Sequence, residues 1–152
     1  MRGGGTPLIK NCYVKPGTGT LRDVLLGPAE SFRWMGLENA QWSSLGRDTL
    51  RKGYKFDKQV AMRQHREMVD AYTQAGVKTH FLPLYMNNPY QVYARDSSFM
   101  TPYAAVICQL ANPPRRGEYA PGLRFHPQPA IPVFAMLSAG NFCVGDYQIP
   151  KP

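Results

Sequence analysis

Arg95 and Asp96 stand directly before Ser97 and Ser98 in a chain of 152 residues, and this is its densest knot of chemistry-bearing side chains. A fixed carboxylate can accept two parallel N–H bonds from a planar guanidinium. It can equally pair with the neighbouring arginine, or accept hydrogen bonds from the backbone N–H groups that follow it in a turn. Residues 91–94 and 104–108 on either side read as short buried strands, so the knot is expected where a strand ends. A charge in that setting must be paired or aimed into a cleft, because an ionised carboxylate left dry and alone costs several kcal/mol. Other reactive groups are scattered. Cys12, Cys108 and Cys143 are odd in number and far apart, which fits neither a disulfide framework nor a metal knuckle, and reduced thiols in a cytoplasmic protein are the simplest account. His65, His80 and His126 share no spacing with them.

The elements that must position the knot are legible in outline. Residues 1–20 hold five of the fourteen glycines and read as a loose arm ahead of a single domain at residues 21–152. LRDVLL, residues 21–26, reads as the first strand, ended by Gly27 and Pro28. Residues 29–53 form an excursion whose Trp34, Met35, Leu37 and Trp42 read as a packing patch. The clearest helix spans residues 57–75, with Asp57 as N-cap and Gly76 as terminator. Val60, Ala61, Met68, Tyr72 and Ala75 recur on one face, His65 reads as a packed helix residue, and Arg63 with Glu67 and Arg66 with Asp70 form i,i+4 pairs. Residues 77–82 read as a strand leading to the knot. Beyond Cys108, residues 115–125 suggest a short helix that Pro121 and Gly122 should break, with Arg115, Arg116 and Glu118 on a solvated face. Residues 130–136 and 140–149 supply further strand signals.

Composition bounds the function classes. Hydrophobic residues make up 43% of the chain and charged residues 18%, a globular balance rather than a disordered one. The formal charge of +8 favours anionic surfaces or ligands. No basic stripe interleaves with aromatics, which argues against nucleic acid, and no run approaches the roughly 18 apolar residues of a membrane span.

The wording PYQVYARDSSF, with LRDVLLG upstream and AGNFCVGDYQIPKP downstream, resembles the guanidine-modifying superfamily of amidinotransferases, arginine deiminases and dimethylarginine hydrolases. That resemblance implies the pentein fold, a propeller of five ββαβ-type modules. Here it implies an α/β, incomplete pentein of roughly two to two and a half modules, the amino-terminal portion of such a protein. It places Asp96 on the substrate guanidinium, with Arg95 bracing it. Asn88 stands where some members carry a substrate-contacting polar residue, although a turn asparagine before Pro89 explains it equally well.

Two departures bear on activity. The family wording F-E-G-G-D aligns with Phe142, Gly145 and Asp146, which puts Cys143 in the slot of the acid and leaves Asp146 to shape the pocket. A thiol, mostly neutral near pH 7, cannot do the carboxylate's work. The family's histidine and cysteine nucleophile lie beyond this motif, and none of the three histidines here matches that position. The resemblance thus implies no cofactor and an arginine-like small molecule as ligand, but no turnover by this chain alone. A non-catalytic, self-associating or ligand-binding module is the alternative. A partial propeller exposes strand edges, so a homo-oligomer or a second chain completing the fold is expected.

Overall fold

The computed structural model describes residues 19–34, 44–101, 103–127 and 131–137. In chain order the elements are β1 (Asp23–Leu26), α1 (Ser44–Arg51), α2 (Lys58–Gln74), β2 (Lys78–Phe81), α3 (Ala94–Ser97), β3 (Ser98–Met100), β4 (Ala105–Cys108), a 3-10 segment (Pro113–Glu118), α4 (Tyr119–Phe125) and β5 (Val133–Leu137). β1 and β2 pair in parallel, with Asp23 opposite Lys78 and Leu26 opposite Phe81. Parallel neighbours need a long crossover, and α2 lies within it. The second sheet has the order β3-β4-β5, antiparallel then parallel. With α4 between β4 and β5, this second unit has the ββαβ order.

α2 forms where its sequence signals place it. Asp57 Oδ1 accepts a hydrogen bond from Val60 N at 3.0 Å, and Gly76 closes the helix at φ 73°, a conformation costly to other residues. Its inward stripe differs from the expected one. Met68 is 39% exposed and Ala75 is exposed, while His65 and Val69 join Val60, Ala61 and Tyr72 among the half-buried positions. Ala61, His65, Val69 and Tyr72 follow one another at three- and four-residue steps on one helix face, and Met68, on the same side, is left partly uncovered. His65 uses this place to bond the Gly27 carbonyl at 3.0 Å, which ties α2 to the end of β1. On the wet side Arg63 and Glu67 pair at 3.7 Å, but Arg66 and Asp70 do not close an ion pair.

β4 is the middle of the core. All four of its residues are buried, as expected for a central strand covered on both faces. Ile107 is fully buried, worth about 1.5–3 kcal/mol. It packs close to Gly122 of α4, where an added Cβ would meet Ile107 Cδ1 at 3.2 Å. Thr101 organises the turn between β3 and β4: its hydroxyl donates to Ala104 O at 2.8 Å and accepts from the N–H groups of Tyr103 and Ala104.

Two expected elements are corrected. Residues 91–94 are not a strand. Gln91 is 1% exposed, and its side-chain amide donates to Pro83 O and accepts from Tyr85 N at 3.0 Å. That amide closes the segment on itself, replacing the ladder partners a strand would need. Arg95 and Asp96 therefore lie in the single helical turn α3, where a strand begins rather than ends. Pro121 and Gly122 do not break the helix near them. Pro121 is the third residue of α4, in the first turn, where N–H groups lack helical partners anyway.

The loop that follows β1 is fastened to both neighbours. Lys58 Nζ reaches the carbonyls of Ala29, Glu30 and Phe32, and Arg33 Nη1 donates to Met86 O at 2.9 Å. Gly27 is required at the exit of β1, because a Cβ there would lie 1.8 Å from the Gln91 carbonyl oxygen. Trp34 packs against Phe56, whereas Met35, Leu37 and Trp42 lie outside the described residues.

Candidate functional site

Asp96 is paired, and its partner is not the adjacent arginine. Arg115 Nη1 donates to Asp96 Oδ2 at 2.8 Å, across nineteen residues of chain, while the Arg95 side chain is exposed. The same Arg115 donates through Nε and Nη2 to the two oxygens of Glu118 at 2.9 and 2.7 Å, a bidentate fork. The solvated face expected at residues 115–118 is thus overturned for Arg115 and Glu118. Glu118 is only 1% exposed, and only Arg116 keeps to solvent.

Local folding explains the convergence. The 3-10 segment starts at Pro113 and Pro114, whose rings suit the first positions of a helical turn, and its tight winding brings Arg115 and Glu118 onto one side. Asn88 anchors this segment: its side-chain amide donates to Gly117 O at 3.3 Å. The absence of a side chain at Gly117 permits the approach, since a Cβ there would meet Asn88 Oδ1 at 3.2 Å. Asn88 is buried, and its own N–H and C=O also bond within the loop, to Tyr85 O and from Gln91 N. The asparagine thus braces the scaffold behind Asp96.

Electrostatically the cluster is lopsided. Burial opposes the charge on Arg115, but its contacts with Glu118 and Asp96 more than offset this and hold it firmly protonated. Burial pushes the Glu118 carboxyl upward, with Arg115 pulling it back. Two carboxylates share one guanidinium, and no other cation among the described residues lies within ion-pair distance of either. The Asp96 side chain, 28% exposed, is the wet end of the cluster. Tyr93 supplies an aromatic wall, its ring centroid 5.6 Å from the Arg115 guanidinium carbon. Behind it Tyr90 stacks on Tyr93 at 6.3 Å, and Phe32 meets Tyr93 edge-on at 5.9 Å.

Against this geometry, three solved chains of dimethylarginine dimethylaminohydrolase superpose on the protein. An adduct with S-methyl-L-thiocitrulline and the Pseudomonas aeruginosa enzyme complexed with citrulline both match with TM-score 0.62 and 24% identity, over 84% of this chain and 46% of theirs. An adduct with 4-chloro-2-hydroxymethylpyridine matches with TM-score 0.60 and 22% identity, over 84% and 45%. The chain has the pentein fold of the dimethylarginine dimethylaminohydrolases. It spans less than half the length of those neighbours. No family model matches the sequence, and no curated protein matches it significantly, so the likeness to the dimethylarginine dimethylaminohydrolases is one of three-dimensional fold.

The remaining sequence candidates are placed as follows. Cys143 and Asp146 lie outside the described residues. His80 Nε2 bonds Asp23 Oδ1 at 2.8 Å across the β1–β2 pair, and His126 is buried with both ring nitrogens unpartnered. Cys108 is buried in β4. The residues that sequence reasoning missed are Arg115, Glu118, Tyr93 and Gln91. Opposite charges three residues apart on a helical turn were the available signal for the first two.

Proposed function

We propose that this chain carries the guanidinium-holding part of a guanidine-modifying site, in which Asp96 accepts the cation of an arginine-like ligand. The observation that carries the reading is the wet carboxylate of a cluster in which two acids share one arginine, next to an aromatic wall. An added monocation completes that charge balance, and a planar one can pair with the carboxylate in two parallel bonds. The pentein fold shared with proteins solved as citrulline and thiocitrulline complexes supports the same ligand class. In this reading Asn88 braces the site and Asp146 shapes the pocket.

The isolated chain binds without turnover. Covalent attack on a guanidinium carbon needs a thiolate with a base beside it. His65 and His80 are engaged with Gly27 O and Asp23, and Cys143 aligns with an acid rather than a nucleophile. Completion of the site would fall to further pentein modules, in a reduced cytoplasmic setting that suits three thiols. A non-catalytic ligand-binding module is the second reading, favoured by the internal occupation of Asp96 by Arg115.

Calorimetric titration with arginine tests the site. One charged contact worth about 1.5–3 kcal/mol gives dissociation constants no better than about millimolar. Asp96→Ala should abolish the binding and Cys143→Glu should tighten it. Equal affinity in all three proteins would end the binding-site reading, and citrulline production from arginine or dimethylarginine would end the claim of no turnover.

A further inference from the structure

Arg115 already does to Asp96 what an external guanidinium would do. Its donors are divided unequally: Nη1 alone reaches Asp96 Oδ2 at 2.8 Å, while Nε and Nη2 close the fork on Glu118 at 2.9 and 2.7 Å. The two acids also differ in what they lose if Arg115 leaves. Glu118 is 1% exposed and would be left as a buried, unpaired charge. The Asp96 side chain is 28% exposed, so solvent or a ligand can replace its one lost N–H. Tyr93, 5.6 Å from the guanidinium carbon, holds Arg115 in place independently of Asp96. The contact with Asp96 is the releasable one.

We propose that Arg115 is an internal occupant of the Asp96 carboxylate, parked on Glu118, and that a guanidinium ligand exchanges with the single Arg115 Nη1–Asp96 Oδ2 bond while the Glu118 fork stays closed. This rests on the reading of Asp96 as a guanidinium site and adds the competitor that sets its affinity. Glu118 is then a positioning residue that never touches the ligand. Weakening its hold turns Arg115 more fully onto Asp96 and shuts the ligand out.

The test is an NMR titration of the full chain with methylguanidinium, following the arginine side-chain signals, in the parent, Arg115→Met/Glu118→Leu, Glu118→Gln and Asp96→Asn proteins. The double substitution removes both buried charges together, leaves no stranded ion and keeps the net charge. It should bind about tenfold tighter than the parent, equivalent to about 1.4 kcal/mol. Glu118→Gln should bind more weakly than the parent. In the parent, the Arg115 Nε–H signal should hold its position while the Nη1 signal shifts with the probe, a measurement that stands even if the double variant does not fold. Equal or weaker binding by the double variant, or loss of the parent Nε–H signal on titration, would overturn the exchange. Binding that Asp96→Asn abolishes but the double variant leaves unchanged sinks the exchange alone. No binding in any protein, or binding indifferent to Asp96→Asn, sinks the guanidinium-site reading and the exchange with it.

Discussion

Glu118 and His126 are buried ionisable side chains of the described structure, and they respond to their burial in opposite ways. Glu118 is stabilised by its partner, so Arg115→Ala strands a buried carboxylate and should cost about 3–5 kcal/mol in urea unfolding. Asp96→Asn keeps a hydrogen-bond acceptor at a partly wet position and should cost no more than about 1–2 kcal/mol. His126 has no partner, and burial lowers its pKa from 6.5 to about 4. The fold accommodates the neutral ring. Stability is therefore complete above about pH 6.5 and declines as pH falls from 6.5 to about 4, by an amount on the order of 3 kcal/mol. His126→Phe should flatten that part of a stability–pH profile, and an unchanged slope would remove His126 as its cause. The chemical identity of Asp96 was legible in the sequence, but its partner was not. Arg115, Arg116 and Glu118 spell the same charged turn whether it is wet or buried, and the difference is made by the loop around Asn88 and Gln91, which packs over it.

Helices and strands with strong local signals were legible, and those decided by a single buried side chain were not. α2 announced its own ends through Asp57 and Gly76, and β4 announced its burial by an unbroken apolar run. Residues 91–94 carry strand-like composition, yet the buried Gln91 amide bonds the backbone of residues 83 and 85 and folds the segment into turns. Local propensity cannot reveal a buried amide's destination. The same loop makes Gly27 sensitive in a way that other glycines are not. Gly27→Ala must displace the Gln91 backbone from a 1.8 Å clash, and should cost at or above the roughly 3 kcal/mol upper range for overpacking. Gly53→Ala, with φ 78° and nothing within 4 Å, meets only backbone strain and should cost about 1–2 kcal/mol. Thermal unfolding of the two variants separates close approach from conformation, and equal losses would contradict the tight seat of Gly27.

At the scale of the molecule, the pentein order was carried by the combined wording around Asp96 and the first strand, because strand-helix alternation alone fits many α/β folds. What the wording could not supply is how the sheets end. Among the described residues β5 pairs only with β4, which leaves its other edge open. Phe134, which the pairing with β4 skips at a register shift, and Met136 are 75% and 39% exposed. Exposed backbone donors and acceptors beside exposed apolar side chains make a template for another strand. Phe81, Leu84 and Met86 add apolar surface at and after β2. We therefore expect the purified chain to self-associate, and light scattering should report a mass well above 17.1 kDa. Phe134→Lys puts a charge on the open strand, the device by which natural edges resist pairing, and should shift the population toward monomer at equal concentration. Methylguanidinium binding should survive this substitution if assembly and ligand recognition are separate. A parent chain that stays monomeric without aggregating would show that β5 needs no partner. Loss of binding on forced dissociation would instead place part of the guanidinium site across the assembled copies.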